Sequence, residues 1–410
     1  MLLSSKNNIK PHILIALLYL LVAASLGVLL RLYPISDINA TYKFIIHTHS
    51  HIALLGWVYV ALTTIIYYVG IDKSKNKKYS TIFWCTQITI VGMMLTFPFI
   101  GYALYSIIFS TLFIICSYWF YFFFKKNHDL KRESISYKFI NTSLLLMIMS
   151  SIGPWALGII MNTLDATSPW YKNAIYFYLH FQYNGWFIFC LIGLFYFLLE
   201  KSKIMYSQKR AHQFYKLMLV SCILMLCLSF LWMKPSSIIF TIAILGAILQ
   251  LVSFVVFYKQ LQEVKTNLKE LYKSQLYGLL KFVFILFLIK ISLQTLTGIP
   301  YFSELATRFL DFVIGYLHLT FLGIVTLMLF ILLKYYKLIE LPKFWVRIYL
   351  FGFVLSEVLI FYKGFSIWQQ YNIIDNYYLY LVMCSSLMPI GILGVFFKSI
   401  FTSPTLQESV

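Results

Sequence analysis

Charged residues are scarce in this sequence: they make up 11% of its 410 residues, against 61% hydrophobic residues. A soluble domain of this length could not cover its surface with so few polar groups. Apolar runs of about 20 residues, the length that crosses a ~30 Å hydrocarbon core, recur from one end of the chain to the other. The composition therefore excludes a soluble protein and predicts a polytopic helical membrane protein.

Acidic residues are the scarcest charged class, with 14 Asp and Glu against 33 Lys and Arg, for a formal charge of +19. The basic residues lie in short loops between apolar runs, so we interpret the excess as a topology signal and expect no nucleic-acid partner. The six cysteines lie in apolar runs without a CxxC pair, which is typical of buried small hydrophobic side chains. The first apolar run has no small-residue cleavage site after it, and we expect it to remain as a membrane helix.

Turn signals and charged residues divide the chain into twelve apolar segments. We expect an all-α polytopic membrane protein made of a single membrane domain over residues 1–410, because no stretch is polar enough to form a separate soluble domain. The predicted spans are residues 12–31, 44–69, 81–101, 104–124, 139–161, 174–199, 214–232, 237–258, 275–297, 309–333, 344–362 and 377–397.

Most of the loop Lys and Arg residues follow the even-numbered spans. The loop after span two holds four lysines between residues 73 and 78, whereas the loops on the opposite side hold at most two basic residues each. Lys and Arg are enriched in cytoplasmic loops. The alternation therefore predicts a bacterial cytoplasmic membrane protein with both termini in the cytoplasm and the lipid bilayer as its surroundings.

A histidine followed five residues later by glycine and then a bulky apolar residue occurs three times, in spans two, six and ten. Membrane segments seldom carry histidine, so three in one register indicate an internal repeat with a function. We expect three pseudo-symmetric four-helix repeats that present their imidazoles at one depth. The copies are His51 with Gly56, His180 with Gly185, and His318 with Gly323, at intervals of 129 and 138 residues.

Neutral imidazole is a common ligand of transition metals and haem iron, and two facing helices can hold a planar macrocycle by bis-histidine coordination. Near span two, His47 and His51 share a helix face, while His49 points elsewhere. The repeat register selects His51 as the ligand that reaches the interior. For His47 and His49, either a metal site at the membrane interface or a solvated helix cap fits the pattern.

Two ionisable residues fall inside apolar segments, Lys290 in span nine and Glu357 in span eleven. Intramembrane charges are costly and usually face the bundle interior, where they have a partner or a water path. These two residues either pair with each other or contribute separately to a polar path.

One segment of span ten is similar to the tenth-helix segment of C-family oxygen reductases. It reads Asp311-Phe-Val-Ile-Gly315-Tyr316-Leu-His318, with a glycine five residues after the histidine. Twelve spans with histidine on spans two, six and ten resemble subunit I of the haem–copper oxidase superfamily, which also includes bacterial nitric oxide reductases. The resemblance covers the whole chain in topology and three short stretches in sequence.

The resemblance implies that His51 and His318 are the axial ligands of a low-spin haem b. The family's high-spin haem ligand, the first histidine of the helix-ten pair, is Tyr316 here. A tyrosine phenolate can also ligate haem iron, so Tyr316 leaves room for a second haem.

The copper ligands of the family are one histidine on helix six and an adjacent pair on helix seven. His180 matches the first, but residues 214–232 of span seven contain no histidine. Tyr183 follows His180 by three residues, whereas the family's helix-six tyrosine follows by four. A copper ion held by one histidine lacks the ligands it needs, so a complete oxygen-reducing haem–copper centre is not expected.

The resemblance implies electron transfer, or redox chemistry on a small diatomic molecule such as nitric oxide, with a quinol or a cytochrome as electron donor. Two other classes stay open. One is a haem or copper carrier or sensor that catalyses no reaction. The other is a transporter whose His, Lys and Glu residues form a polar substrate path.

Overall fold

The computed structural model describes the backbone of residues 2–402 and the side chains of residues 9–402. In that range it is 86% helical and has no strand. Twelve helices are long and apolar enough to cross a membrane, which confirms the predicted fold class and span count. These are α1 (Ile9–Leu32), α2 (Tyr42–Gly70), α3 (Lys73–Ile100), α4 (Leu104–Asn127), α5 (Ile135–Thr163), α6 (Pro169–Lys201), α7 (Gln208–Met233), α8 (Ser237–Glu263), α9 (Lys265–Thr297), α10 (Leu310–Tyr335), α11 (Lys343–Trp368) and α12 (Tyr377–Phe401).

The connection between α3 and α4 is only three residues long, and a glycine makes it possible. Gly101 has a φ of 58°, a conformation that L side chains rarely adopt, and a Cβ at this position would overlap the Phe44 ring. On the other side of the turn, the Ala103 amide donates to the Ser106 hydroxyl over 2.9 Å. The two spans therefore end as separate helices despite their close spacing in sequence.

The sequence Ser150-Ser151-Ile-Gly-Pro154 predicts a kink in span five, and α5 is interrupted at Ser151. The hydroxyls of Ser150 and Ser151 donate to the carbonyls of Met147 and Ile148, each over 2.6 Å. Polar groups near the break are thereby satisfied inside the helix, as an apolar environment requires.

The described chain forms two compact units, each with its own buried core. Unit 1 comprises the residues up to Asp129, Leu329–Ser366 and the residues from Gln370 onward; it holds α1–α4 and α12 in full. Unit 2 comprises Leu130–Met328 and Ile367–Gln369, and holds α5–α9 in full. The single membrane domain and the three four-helix repeats stay predictions.

Each repeated histidine is the last residue of an α-helical segment and is followed at once by π-helix. The π-helical stretches are Ile52–Tyr59 after His51, Phe181–Phe187 after His180, and Leu319–Val325 after His318. π-helix is rare in proteins and is often found at functional sites. The three sequence motifs thus share a local backbone feature as well as a residue pattern.

Inside two of these stretches, the motif glycine permits a close approach by a neighbouring side chain. A Cβ on Gly56 would lie 2.8 Å from the Tyr19 ring of α1, and a Cβ on Gly185 would lie 2.9 Å from Leu146 of α5. Real Cβ atoms do not approach other atoms so closely. The glycine positions therefore serve helix packing in both units.

Gly56→Ala is expected to lower the free energy of unfolding by about 1–3 kcal/mol, because the added methyl group displaces the Tyr19 ring. Gly278→Ala on α9 is the matched control, since nothing lies within 4 Å of its added Cβ. There, higher helix propensity adds up to about 1 kcal/mol. Thermal unfolding of both variants in detergent measures the difference, and equal midpoints would contradict the packing role of Gly56.

Candidate functional site

His51 of unit 1 has one ring nitrogen fixed by the backbone and the other turned to a weaker partner. Its Nδ1 lies 2.8 Å from the carbonyl oxygen of His47, one helical turn earlier. A carbonyl can only accept, so Nδ1 carries the proton and Nε2 keeps its lone pair. That lone pair accepts a 3.3 Å hydrogen bond from the Tyr102 hydroxyl. The centres of the His51 and Phe97 rings lie 4.4 Å apart.

This is the arrangement that histidine ligands of metals generally have. The nitrogen that does not bind the metal donates to a carbonyl or carboxylate, which fixes the tautomer and increases the basicity of the other nitrogen. The Nε2 atom of His51 can bind iron if the Tyr102 hydroxyl gives way. The geometry of His51 therefore fits the ligand role that the sequence assigns to it.

The two other histidines of the His47–His51 segment behave as the helical spacing predicts. His47 shares the face of His51: its ring packs edge-on against Tyr102 at 4.6 Å between ring centres, and its buried Nε2 has no hydrogen-bond partner. His49 points away, toward α1, where its Nδ1 donates to the Ala23 carbonyl over 2.8 Å. The prediction that His47 and His51 share a face is confirmed. A metal site at His47 or His49 stays a prediction.

His180 of unit 2 has both ring nitrogens engaged. Its Nε2 donates to the Cys222 carbonyl over 2.8 Å, and its Nδ1 accepts from the Asn184 amide over 3.3 Å. A metal ion could bind His180 only if one of these contacts broke. The role of His180 as a metal ligand stays a prediction, while its structural role between α6 and α7 is visible.

Lys290 lies in the same network and is only 1% exposed. Its ammonium donates to the side-chain oxygens of Asn184 and Gln294, each over 2.7 Å, and lies 5.6 Å from the centre of the Tyr316 ring. The Asn184 amide thus connects the Lys290 cation to His180. We call these residues, namely Lys290, Asn184, Gln294 and His180, the lysine network.

Three more residues of unit 2 were considered in the sequence: Tyr316 and Tyr183, whose rings pack against each other, and His318, which ends an α-helical segment. The Tyr316 hydroxyl is buried near Thr320 and Asn184, without a hydrogen bond of normal geometry. The Tyr183 ring packs edge-on against Tyr316 at 6.3 Å. His318 is half-buried at the last α-helical residue before its π-helical stretch.

Glu357 of unit 1 is buried in α11, and neither of its carboxylate oxygens has a hydrogen-bond partner. Arg31 of α1 interacts with it electrostatically, but the guanidinium hydrogen-bonds to the Ser385 hydroxyl and forms no ion pair with the carboxylate. A buried carboxylate without a donor is costly unless it is neutral.

Sequence reasoning missed Asn184, Gln294 and Tyr102. Asn184 and Gln294 each follow an identified residue by four positions, which places them on the same helix face as His180 and Lys290. That spacing is the signal that was available. Among the described residues, no group of three or more His, Cys, Asp or Glu side chains is arranged to hold a metal ion.

Comparison with known proteins adds no family assignment to this geometry. No protein-family model matches the chain, and no curated protein is significantly similar to it.

Proposed function

We propose that this chain is a haem-binding integral membrane protein similar to subunit I of the haem–copper oxidase superfamily, with His51 as an axial ligand of a b-type haem. The observation that carries the proposal is the hydrogen bond from His51 Nδ1 to the His47 carbonyl, which keeps the proton off Nε2 so that its lone pair can bind iron once the Tyr102 hydroxyl is displaced. The bound iron would supply one-electron chemistry. The protein's part is to fix the imidazole tautomer and to surround the site with apolar side chains such as Phe97.

The sequence resemblance assigns the second axial position to His318, and this assignment stays a prediction. The proposed role is electron transfer, or redox chemistry on a small diatomic molecule such as nitric oxide, with electrons from quinol or a cytochrome. Tyr316 is the proposed ligand if a second haem binds.

A six-coordinate electron carrier is separated from an open-site enzyme by the reaction of the reduced protein with carbon monoxide. An open site shifts the haem spectrum when the gas binds, whereas a six-coordinate haem leaves it unchanged.

We also propose the bacterial cytoplasmic membrane as the location, with both termini in the cytoplasm. The support is the alternation of basic loops, in which four lysines between residues 73 and 78 follow span two. A reporter that is active only outside the cytoplasm, fused after Val410, should be inactive if this topology is right.

A reduced-minus-oxidised absorption spectrum of the purified protein in detergent, with iron and copper analysis of the same sample, tests the haem proposal. We expect the bands of a low-spin b-type haem and one or two iron atoms per chain. A protein that contains neither haem nor metal after expression with sufficient haem supply would overturn it.

The second candidate is a transporter for a polar substrate, and the lysine network favours it. A buried ammonium with two neutral acceptors and an amide link to His180 is a costly arrangement in a membrane, and such groups often mark a substrate or proton path. A metal-free protein that moves a polar solute into vesicles would support this reading.

A further inference from the structure

A second feature of unit 1 concerns Glu357 and does not depend on haem binding. Glu357 lies in the middle of α11, is 7% exposed, and has no hydrogen-bond donor at either carboxylate oxygen. An ionised carboxylate in such surroundings has lost its hydration and has no hydrogen bond to replace it. The same group is tolerated when it carries a proton.

Arg31 of α1 is the charged group that interacts electrostatically with Glu357 among the described side chains. Its guanidinium donates to the Ser385 hydroxyl of α12. Arg31 is thus close enough to influence the carboxyl group but is held by another acceptor.

The other titratable groups near Glu357 interact with Arg31 and not with the carboxyl group itself. Tyr377 and Cys384 of α12 interact with Arg31, and so does His49, whose ring packs against α1. None of them donates a hydrogen bond to the Glu357 carboxylate, whose two oxygens have no hydrogen-bond partner in the structure. The charge balance at Glu357 therefore depends on its own proton and on the position of Arg31.

We propose that Glu357 is a proton-binding site within the membrane domain, and that Arg31 sets how tightly the proton is held. With Arg31 bound to Ser385, the carboxyl group keeps its proton. When the guanidinium moves from Ser385 toward Glu357, its positive charge stabilises the carboxylate and the proton leaves. The carboxyl O–H bond is the one covalent bond that breaks, and its proton passes to water. The guanidinium exchanges its hydrogen bond to Ser385 for an ion pair with the carboxylate.

Two measurements on the purified full-length protein in detergent test this site. Dicyclohexylcarbodiimide, an apolar reagent that adds to protonated carboxyl groups, should label Glu357, with the site identified by peptide mass spectrometry. Glu200 is the internal control, because its carboxylate accepts from the Ser136 amide, the Ser136 hydroxyl and the Tyr206 hydroxyl. We expect about ten-fold more label on Glu357 than on Glu200 at neutral pH, which corresponds to about 1.4 kcal/mol.

The second measurement is infrared difference spectroscopy between the wild-type protein and Glu357→Gln, which does not depend on reagent access. Loss of one protonated-carboxyl band at neutral pH in the variant supports the proposal. If that band is absent in the wild type, Glu357 is ionised and the proposal is wrong, whatever the labelling shows.

Two variants test the role of Arg31 in opposite directions. Arg31→Gln removes the positive charge and should raise the pH of half-maximal labelling by about one unit or more. Ser385→Ala frees the guanidinium to approach Glu357 and should lower that pH. Unchanged labelling profiles in both folded variants would mean that Arg31 does not control the proton, and the proposal would fail in that part.

Discussion

From the proposed bis-histidine coordination, we expect His51→Ala to remove the low-spin haem signal altogether, because a single remaining imidazole could not keep the iron six-coordinate. The effect should be all or none. The His47 carbonyl fixes the tautomer of His51 and leaves its Nε2 as the nitrogen that can bind iron. The measurement is the reduced-minus-oxidised spectrum, normalised to protein concentration.

His47→Ala is the matched control on the same helix face. It removes an imidazole but keeps the backbone carbonyl that accepts from His51, so the haem signal should remain. If His47→Ala loses the haem while His51→Ala retains it, then His47 is the ligand and the register that we assign to α2 is wrong.

Loss of haem from His51→Ala could also come from misfolding, and a cavity variant separates the two causes. His51→Gly leaves space beside Phe97 and Tyr102, where free imidazole can take the place of the missing ring. Partial return of the low-spin bands with added imidazole would identify a lost ligand. A variant that elutes as a folded protein and does not respond to imidazole would count against coordination at this position.

The spans were predictable because a membrane helix needs only length and apolar composition, and both can be read directly from the sequence. Helix ends were harder to predict. Span six was predicted to begin at residue 174, but α6 begins at Pro169, because the Ser168 hydroxyl accepts from the Trp170 amide and proline suits the first helical turn. The helix therefore extends beyond the apolar run through polar residues that the hydropathy pattern excludes.

The candidate sites were predictable only in part. The shared face of His47 and His51 follows from helical spacing alone. The π-helical stretch after each histidine does not, because Ile52–Tyr59 is an ordinary apolar sequence that carries no signal for π-helix.

Partners across helices were also beyond sequence reasoning. Lys290 was identified as a costly charge, and Glu357 was one suggested partner. The hydrogen bonds of Lys290 go to Asn184 and Gln294, whose amide side chains are neutral and therefore do not stand out in an apolar segment as a charged residue does. A neutral acceptor can lie on any neighbouring helix, so the sequence does not specify which one a buried lysine contacts.

Asn184→Leu is expected to lower the free energy of unfolding by about 2 kcal/mol or more, because two buried groups of unit 2 each lose a hydrogen-bond partner. The Lys290 ammonium loses one of its two 2.7 Å acceptors, and His180 Nδ1 loses its donor. Leucine keeps a similar side-chain volume, so a cavity contributes little. The measurement is the midpoint of thermal unfolding in detergent, with retained helicity as the check on folding.

A double-mutant cycle shows how much of the destabilisation by Asn184→Leu comes from its contact with Lys290. The cycle is completed by Lys290→Met and by the double variant Asn184→Leu/Lys290→Met. Methionine removes the buried cation, and the Asn184 oxygen keeps the Gln294 amide as a neighbour at 3.4 Å, so the single Lys290 change should cost less. In the double variant the buried Lys290 charge is gone, and we expect this variant to be more stable than Asn184→Leu alone. If the two costs simply add, Asn184 does not stabilise the Lys290 charge. Interhelical hydrogen bonds in membranes average only about 0.6 kcal/mol. A coupling energy of about 1 kcal/mol or more between Asn184 and Lys290 would therefore mean that the main role of the Asn184 amide is to hold the Lys290 cation beside His180.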